Sequence, residues 1–463
     1  MTGDEVPGAW QGGLPMRYRL TGGESLRVRL GVEQTRDIVE TANVLGTLRG
    51  SEFPDEAVII GCHHDAWGFG AGDPTAGLMC VVEAARVFGE MAKNGWRPKR
   101  SIIFAGWAAE EHGIVGSVEY VESRPEWLSE NAVAYLNLDM AAMGTNFRSS
   151  ASPSLQGVIA QVSRWVEQPG GSEGERVWHR WTGNSPSTFP LEQEPKVAHH
   201  SVPFGTIPQP KKPVFGTLGG GSDHVGFLCH TCIPSASLGG GGSRGVSYHS
   251  LYDNLNWYRA VVGDDYESAR MVTRMTLLTA AMLAEEGNRS LHSVNYATAA
   301  KEALDRIEQF ADEEDREYLR VLHRDLRISI DTFEDALNSF DTVAALPALL
   351  TVLDGNKADA QRLKDEHRTR VERVTNSEPA IRRSIERAWC DDRFDDGRPW
   401  YRNGFAAPDA TSGYAAWVLP GLRAAWQADD PTQYARQSVE YMKWFVERAD
   451  EIRAVVGDDS AED

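Results

Sequence analysis

The fold is decided by residues 57–65, which read AVIIGCHHD. The first six residues are apolar or small, as in a buried strand, and His63 stands where that run ends. Residues 75–91 follow with apolar side chains at helical spacing, which predicts a helix. A buried strand followed by a helix is typical of an α/β fold whose sheet is mainly parallel.

Two later apolar segments repeat this arrangement of a strand that ends in potential ligands. Residues 101–107 lead into the pair Glu110 and Glu111, and residues 132–138 lead into Asp139. The carboxyl ends of the strands form the edge at which open α/β sheets bind ligands. We therefore expect these carboxylates to meet the histidine of the first strand.

Histidine and carboxylate side chains in this arrangement are typical of a zinc hydrolase. Zinc binds imidazole nitrogen and carboxylate oxygen, and catalytic zinc sites keep one position open for water. Asp73 and His249 complete the candidate set. Each motif alone is more often structural or a solvated surface feature. Their joint occurrence at the ends of apolar strands favours a metal site.

Four motifs carry a resemblance to a known family: GCHHDAWGFGAGDP at residues 61–74, WAAEEHG at 107–113, NLD at 137–139 and YHS at 248–250. They resemble the co-catalytic two-zinc peptidases related to glutamate carboxypeptidase II and the transferrin receptor. The resemblance covers nearly the whole chain. It implies a mixed, mainly parallel sheet flanked by helices, the zinc exopeptidase fold, followed by an all-α helical bundle.

The resemblance also implies a role for each metal ligand. His63 and Asp139 would bind one Zn²⁺, Glu111 and His249 would bind a second Zn²⁺, and Asp73 would bridge the two. Two zinc ions held close together share a hydroxide and polarise the scissile carbonyl. The expected protein is a zinc-dependent exopeptidase that hydrolyses a peptide bond near a free terminus.

Two acidic residues match catalytic positions of the family. Glu110 matches the general base, and a free carboxylate beside the metals suits that task because it can take a proton from the attacking water. Asp65 matches the carboxylate that orients the ligand His63. Catalysis is therefore expected to depend on both acids.

Five further residues are candidates for substrate binding. Tyr248 matches a tyrosine that holds substrate near the metals, and Gly221 and Ser222 lie in a segment that resembles the family's glycine-rich substrate turn, with serine in place of asparagine. Arg244 is either a clamp for a substrate carboxylate or a solvated arginine on a loop. Tyr414 matches a tyrosine that the family's C-terminal domain contributes.

The pocket departs from that of glutamate carboxypeptidase II. The segment that carries the family's arginine cluster is replaced by the glycine-rich residues 238–245, the lysine position holds Gly413, and the acidic partner position holds Met143. These losses together argue against selectivity for glutamate. An aminopeptidase rather than a carboxypeptidase or dipeptidase stays open as an alternative. A non-catalytic receptor or scaffold also stays open, although receptor-type relatives have lost zinc ligands.

Two domains are expected from the change in composition near residue 287. Residues 1–287 would form the zinc peptidase domain without the family's apical domain, and residues 288–463 would form a helical domain like the dimerisation domain of the transferrin receptor. Charged segments with apolar residues at helical intervals, including 314–328 and 330–353, predict helices there. A homodimer formed through this domain is the expected assembly.

Composition limits the partners and the cysteine chemistry. The net charge of −20 argues against nucleic acid as a partner, so a peptide or peptide-like molecule is the expected substrate. The five cysteines do not form the pattern of a disulfide framework, and packed free thiols are expected.

The chain shows no signal or membrane segment, so the compartment stays unknown, although relatives are often extracytoplasmic. Glu119 and Glu122 match family calcium ligands whose partners are absent here.

Overall fold

The computed structural model describes residues 3–11, 15–23, 27, 29–183, 211–245, 247–352, 357–394 and 396–457. The chain divides into two compact units, Met1–Thr41 and Ala42–Asp463. Within the first unit, the described residues contain a short 3-10 helix at Gly8–Trp10 and an antiparallel bridge between Glu5 and Arg19. The second unit carries all the candidate site residues.

The second unit is built on a six-stranded sheet. Its strands are β1 (Val44–Leu48), β2 (Phe53–His63), β3 (Arg100–Trp107), β4 (Ala132–Asn137), β5 (Asn146–Ala151) and β6 (Ser235–Gly241), in the spatial order β1-β3-β2-β4-β6-β5. The central pairs β3/β2, β2/β4 and β4/β6 are parallel, whereas β1 and β5 pair antiparallel at the two edges. The prediction of a mixed, mainly parallel sheet is confirmed.

The register of the central strands brings their carboxyl ends together. His63 pairs with Trp107 across β2 and β3, and Gly61 pairs with Asn137 across β2 and β4. All six residues of β4 and the last seven of β2 are buried, because both faces of the sheet are covered. The residues that follow each strand therefore emerge at one edge.

Helices cover both faces of the sheet. These helices are α1 (Thr75–Lys93), α2 (Val115–Glu122), α3 (Pro125–Asn131), α4 (Gln156–Ser163), α5 (Val177–Thr182), α6 (Leu255–Val261) and α7 (Glu267–Glu286). One face packs an aliphatic core against α1 and α7, and the other packs an aromatic core around Trp107, Tyr135 and Phe227. A π-helical turn at Gly226–His230 precedes β6.

The chain after residue 290 is mainly helical, as predicted. It contains α8 (Asn295–Phe310), α9 (Glu313–Val352), α10 (Lys357–Ala388), α11 (Pro420–Gln427) and α12 (Pro431–Val456), and a small hairpin of β7 (Ala406–Pro408) and β8 (Ala416–Val418). The expected break between 328 and 330 is wrong, because α9 is continuous there. Ser329 stays helical with its hydroxyl bonded to the carbonyl of Asp325.

The helical region is joined to the sheet by buried contacts. Its hydrophobic core includes Leu218, Val225 and Leu228, which lie between β5 and β6 in sequence. The Arg387 guanidinium of α10 donates to the carbonyls of Ser129, Ala132 and Cys232. The boundary predicted at 287/288 therefore stays a prediction, since residues 42–463 form one compact unit.

One cysteine expectation is wrong. Cys232 and Cys390 form a disulfide between residues 158 positions apart, with their Cα atoms separated by 5.7 Å. Packing of the end of α10 against the segment before β6 brings the two together, and no local sequence pattern signals that contact. Cys62, Cys80 and Cys229 are buried free thiols, as expected. Among the described helices, none combines the length and hydropathy needed to span a membrane.

Candidate metal centre and cleft

The five predicted ligands lie together at the carboxyl edge of the sheet. His63 Nε2 lies 3.1 Å from Asp73 Oδ1 and 3.2 Å from Asp139 Oδ1. His249 Nε2 lies 3.2 Å from Asp73 Oδ2 and 3.0 Å from Glu111 Oε2. The side chains thus form two groups of three that share Asp73, and each group offers atoms within 4.8 Å of one another.

Asp73 is held by a buried loop between β2 and α1. The backbone amides of Gly72 and Asp73 donate to the two oxygens of Asp253, at 2.7 and 2.9 Å. Asp253 lies four residues after His249, so this carboxylate ties the loop of one ligand to the loop of another. Each oxygen of Asp73 consequently faces a different histidine.

Asp65 organises the site in a different way from the one predicted. His63 Nδ1 donates to the backbone carbonyl of Asp65 at 3.0 Å, which fixes the tautomer and leaves Nε2 facing the carboxylates. The Asp65 carboxylate lies 3.6 Å from Nδ1 and accepts instead from the backbone amides of Glu110 and Glu111 at 3.0 and 3.2 Å. Asp65 therefore connects β2 to the paired glutamates after β3.

The electrostatics of the site fit a bound cation. Burial lowers the pKa of His63, but hydrogen bonds to Asp139 and Asp73 outweigh it and raise the pKa to about 12. Burial, helped by neighbouring carboxylates, raises the pKa of Glu110 to about 9. Oε1 of Glu111 is buried without a hydrogen-bond partner. The ligand groups contain three carboxylates and two imidazoles, and imidazole nitrogen with carboxylate oxygen is a donor set that zinc accepts.

Glu110 is placed beside the ligand groups and belongs to neither of them. Its side chain is 9 % exposed, and Oε2 lies 4.0 Å from His63 Nε2. Among the described residues, its carboxylate makes no hydrogen bond to another side chain. Its neighbour Glu111 points at His249, so the two adjacent glutamates face different partners.

Tyr248 and Tyr414 lie near each other at the cleft, although the sequence separates them by 166 positions. The Tyr248 ring stacks on His249 with centroids 3.6 Å apart. Burial raises the pKa of the Tyr248 hydroxyl, and the nearby Tyr414 adds to the rise. Tyr414 lies in the turn between β7 and β8, so the helical region supplies one side of the cleft.

The predicted glycine-rich turn packs against that hairpin. A Cβ added to Gly220 would lie 1.7 Å from the carbonyl oxygen of Gly413, and one added to Gly221 would lie 2.6 Å from the Tyr414 ring. Glycine at these positions permits close approach of the hairpin, a reason that the sequence did not reveal. Ser222 follows the turn, and its buried hydroxyl donates to Asp139 Oδ2 at 2.8 Å.

Arg148 lines a cavity beside the site, whereas Arg244 is near it in sequence alone. Arg244 lies on an exposed loop before Tyr248, and among the described residues its side chain has no ionic or hydrogen-bonded partner. Arg148 of β5 was not predicted as a site residue from the sequence. It lines a cavity of about 420 Å³ that Asp139 also lines, and its guanidinium lies over the glycines of β6, without an ionic partner in the described part of the chain.

An exposed aromatic rim was also missed. Trp67 and Phe69, on the loop after His63, are 54 % and 72 % exposed, and the Trp67 ring centroid lies 6.4 Å from that of His249. Both lie inside the first motif, where single aromatic residues between glycines do not by themselves indicate an exposed surface. Large exposed apolar side chains beside a polar site commonly mark a binding surface.

Among the described residues, no further potential metal ligands gather around Glu119 and Glu122. Glu122 accepts a hydrogen bond from Trp400 Nε1 at 2.6 Å. In the residues that the structure describes, the clusters of three potential ligands are the two that share Asp73, and neither contains Glu119 or Glu122.

Comparison with known proteins agrees with this geometry. Residues 43–260 match peptidase family M28, and residues 323–452 match the transferrin receptor-like dimerisation domain. Over residues 43–260 the chain is similar to peptidase family M28. The resemblance stated from its motifs is thereby confirmed, and the M28 match contains all five ligands, Glu110 and Asp65.

Curated relatives include both peptidase types considered above. A probable glutamate carboxypeptidase of Arabidopsis thaliana, LAMP1, is 29 % identical over 89 % of this chain and 53 % of its own length. The aminopeptidase NAALADL1 of Rattus norvegicus is 28 % identical over 92 % of this chain and 54 % of its own length. The chain thus spans about half the length of these relatives. A zinc aminopeptidase from Bacillus subtilis, of solved structure, is 20 % identical over 53 % of this chain and 50 % of its own, with a TM-score of 0.35.

Proposed function

We propose that this protein is a two-zinc exopeptidase. The observation that carries the proposal is the pair of ligand groups sharing Asp73, one completed by His63 and Asp139 and the other by Glu111 and His249. Zinc bound there would supply a Lewis acid that polarises the scissile carbonyl and lowers the pKa of water. A receptor or scaffold has no need of a complete ligand set beside a free glutamate.

Glu110 is the proposed general base. Its buried carboxylate belongs to neither ligand group and makes no hydrogen bond to another described side chain, so it can take a proton from the attacking water and return it to the leaving amine. Asp65 keeps Glu110 in place by accepting its backbone amide. Tyr248 and Tyr414 face the same space and are the proposed substrate contacts.

The proposed substrate is a peptide without an obligatory glutamate. Gly239 to Gly242 leave the β6 side of the cleft without side chains, and Trp67 and Phe69 offer an apolar surface at the rim. Arg148 and Arg244 supply cations for a substrate carboxylate, which favours recognition of a free carboxyl end. The aminopeptidase alternative is kept because the relative NAALADL1 bears that name.

A homodimer is the proposed assembly. Residues 323–452 match a dimerisation domain, and α9 exposes Val321 and Ile328 at 56 % and 58 %. Exposed apolar side chains along a helix suit burial against a second copy. Light scattering of the full chain is expected to give twice the chain mass, and a monomeric mass would contradict the proposal.

Metal analysis followed by a screen of dipeptides tests the function. The full chain should bind two equivalents of zinc and release amino acids from free dipeptides in a zinc-dependent manner. Amidation of the substrate carboxylate should abolish hydrolysis by a carboxypeptidase, whereas acetylation of the amine should abolish hydrolysis by an aminopeptidase. Zinc binding without hydrolysis of any free or blocked dipeptide would favour the receptor alternative.

A further inference from the structure

A row of buried hydrogen bonds runs from the aromatic core to one metal ligand. The Trp107 indole N–H donates to the Tyr135 hydroxyl at 2.9 Å, and that hydroxyl donates to Asn137 Oδ1 at 2.9 Å. The Asn137 amide donates to Ser222 Oγ at 2.8 Å, and the Ser222 hydroxyl donates to Asp139 Oδ2 at 2.8 Å. Trp107, Tyr135, Asn137 and Ser222 are all buried. We call this row the relay.

The direction of the relay is fixed by its first member. An indole N–H can only donate, so the Tyr135 oxygen accepts there and its proton points to Asn137. The amide of Asn137 then has its oxygen satisfied and its NH₂ turned toward Ser222. Because Ser222 accepts from that NH₂, its own proton is left for the carboxylate. Each bond therefore polarises the next toward Asp139.

Strand β2 makes room for the relay. A Cβ on Gly61 would lie 2.4 Å from Trp107 Nε1 and 2.7 Å from the Tyr135 hydroxyl. Gly61 is two residues before the ligand His63 and pairs in register with Asn137. A side chain at this position would push apart the first two members, so the glycine permits the relay to pass beside the strand.

The two ligand groups differ in the hydrogen bonds that hold their carboxylates. In the first group, Ser222 holds Oδ2 of Asp139, and Oδ1 is left facing His63 Nε2 at 3.2 Å. In the second group, Oε1 of Glu111 is buried without a hydrogen-bond partner. A change to the relay should therefore act on one metal position and spare the other.

We propose that Ser222 is a positioning residue, which the relay uses to hold Asp139 for the metal it shares with His63. This inference rests on the proposed two-metal site. It gives Ser222 a role different from the substrate contact expected from the sequence. Hydrogen bonds to a metal-binding side chain fix its orientation, and their loss typically costs about 10–100-fold in metal affinity.

Competition with a chromophoric chelator, using the metal-free full chain, tests the proposal. Ser222→Ala should weaken one of two zinc equivalents by about 10–100-fold and leave the other unchanged. Tyr135→Phe should weaken the same equivalent by less, because the break lies two hydrogen bonds further away. Ser222→Thr keeps a hydroxyl donor and should bind closer to wild type than the alanine variant. Ser235→Ala is the matched control, since this buried hydroxyl donates to the Ile233 carbonyl and touches no ligand.

Two outcomes would overturn the positioning role while leaving the zinc site intact. In the first, Ser222→Ala and Tyr135→Phe bind both zinc equivalents as tightly as wild type. In the second, Ser222→Ala raises KM with zinc affinity unchanged, which would make Ser222 a substrate contact. Wild-type protein that takes up fewer than two equivalents would overturn the two-metal site and the relay's role together.

Discussion

The cleft has two walls that differ in burial. The metal wall consists of the five proposed ligands and Glu110, and the substrate wall consists of the proposed substrate contacts Arg244, Tyr248 and Tyr414. His63 and Asp73 are 0 % and 5 % exposed, whereas Tyr248 and Tyr414 are 47 % and 62 % exposed. Burial of a polar side chain costs free energy unless the side chain is hydrogen-bonded. The metal wall is accordingly held by hydrogen bonds from several elements. The substrate wall is open to ligands of different shape.

The two walls also differ in where they come from. Three of the five proposed ligands, with Glu110, lie at or just after the carboxyl ends of β2, β3 and β4, which neighbour one another in the sheet. Tyr414 comes from a hairpin almost three hundred residues later in numbering than Asp139, and it reaches the site because Gly219 to Gly221 let it approach. Changes to the metal wall should therefore affect metal binding or chemistry, and changes to the substrate wall should affect KM.

Loss of the shared ligand should have the largest effect. Asp73→Ala removes an oxygen from each ligand group, so zinc content should fall at both positions and kcat should drop by at least about 100-fold. Atomic absorption and steady-state kinetics measure the two quantities. Asp55→Ala, at an exposed aspartate of β2, is the control and should resemble wild type. Full zinc content in the Asp73 variant would contradict the proposal that both ligand groups share Asp73.

Glu110→Gln should separate chemistry from metal binding. The amide cannot take a proton, so kcat should fall by about 100–10,000-fold while both zinc equivalents stay bound. Glu119→Gln, on α2, is the matched control. An active Glu110→Gln enzyme would mean that another group is the base.

Gly220→Ala should disturb the substrate wall and spare the metal wall. Its Cβ would meet the Gly413 carbonyl at 1.7 Å, so the hairpin must move, at a cost of about 1–3 kcal/mol in the free energy of unfolding. We expect KM to rise while zinc affinity is retained. Gly89→Ala on α1, where a Cβ meets nothing within 4 Å, should be neutral or stabilising. Equal thermal stability of the two variants would contradict the close packing of the hairpin.

Tyr414→Phe should have the smallest effect. It removes the exposed hydroxyl of a proposed substrate contact, and loss of one hydrogen bond to substrate, about 0.5–1.5 kcal/mol, corresponds to roughly a 2–10-fold change in kcat/KM. Tyr252→Phe is the control, because this hydroxyl is exposed and has no hydrogen-bond partner among the described residues. A loss of zinc from the Tyr414 variant would show that the two walls are not independent.

Local pattern explains why three of the six strands could be predicted. The apolar runs that became β2, β3 and β4 are bounded by polar ligands, and parallel strands must end at one edge. This criterion did not predict a role for Arg148, because β5 has no comparable apolar run. The exposed arginine therefore resembles an ordinary surface residue. The helical pattern also predicted two segments where the structure has the single helix α9. Phe333 and Leu337 pack in the core along this continuous helix.

The amino-acid sequence by itself determined which residues form the metal wall. Strand composition and ligand chemistry are local properties, so His63, Glu111 and Asp139 could be placed from residues beside them. Tertiary structure alone decided the Cys232–Cys390 disulfide, the contact of the hairpin with the glycine turn, and the attachment of Ser222 to Asp139. Each of these joins segments more than eighty residues apart, and such pairings depend on how the sheet and the helical region pack.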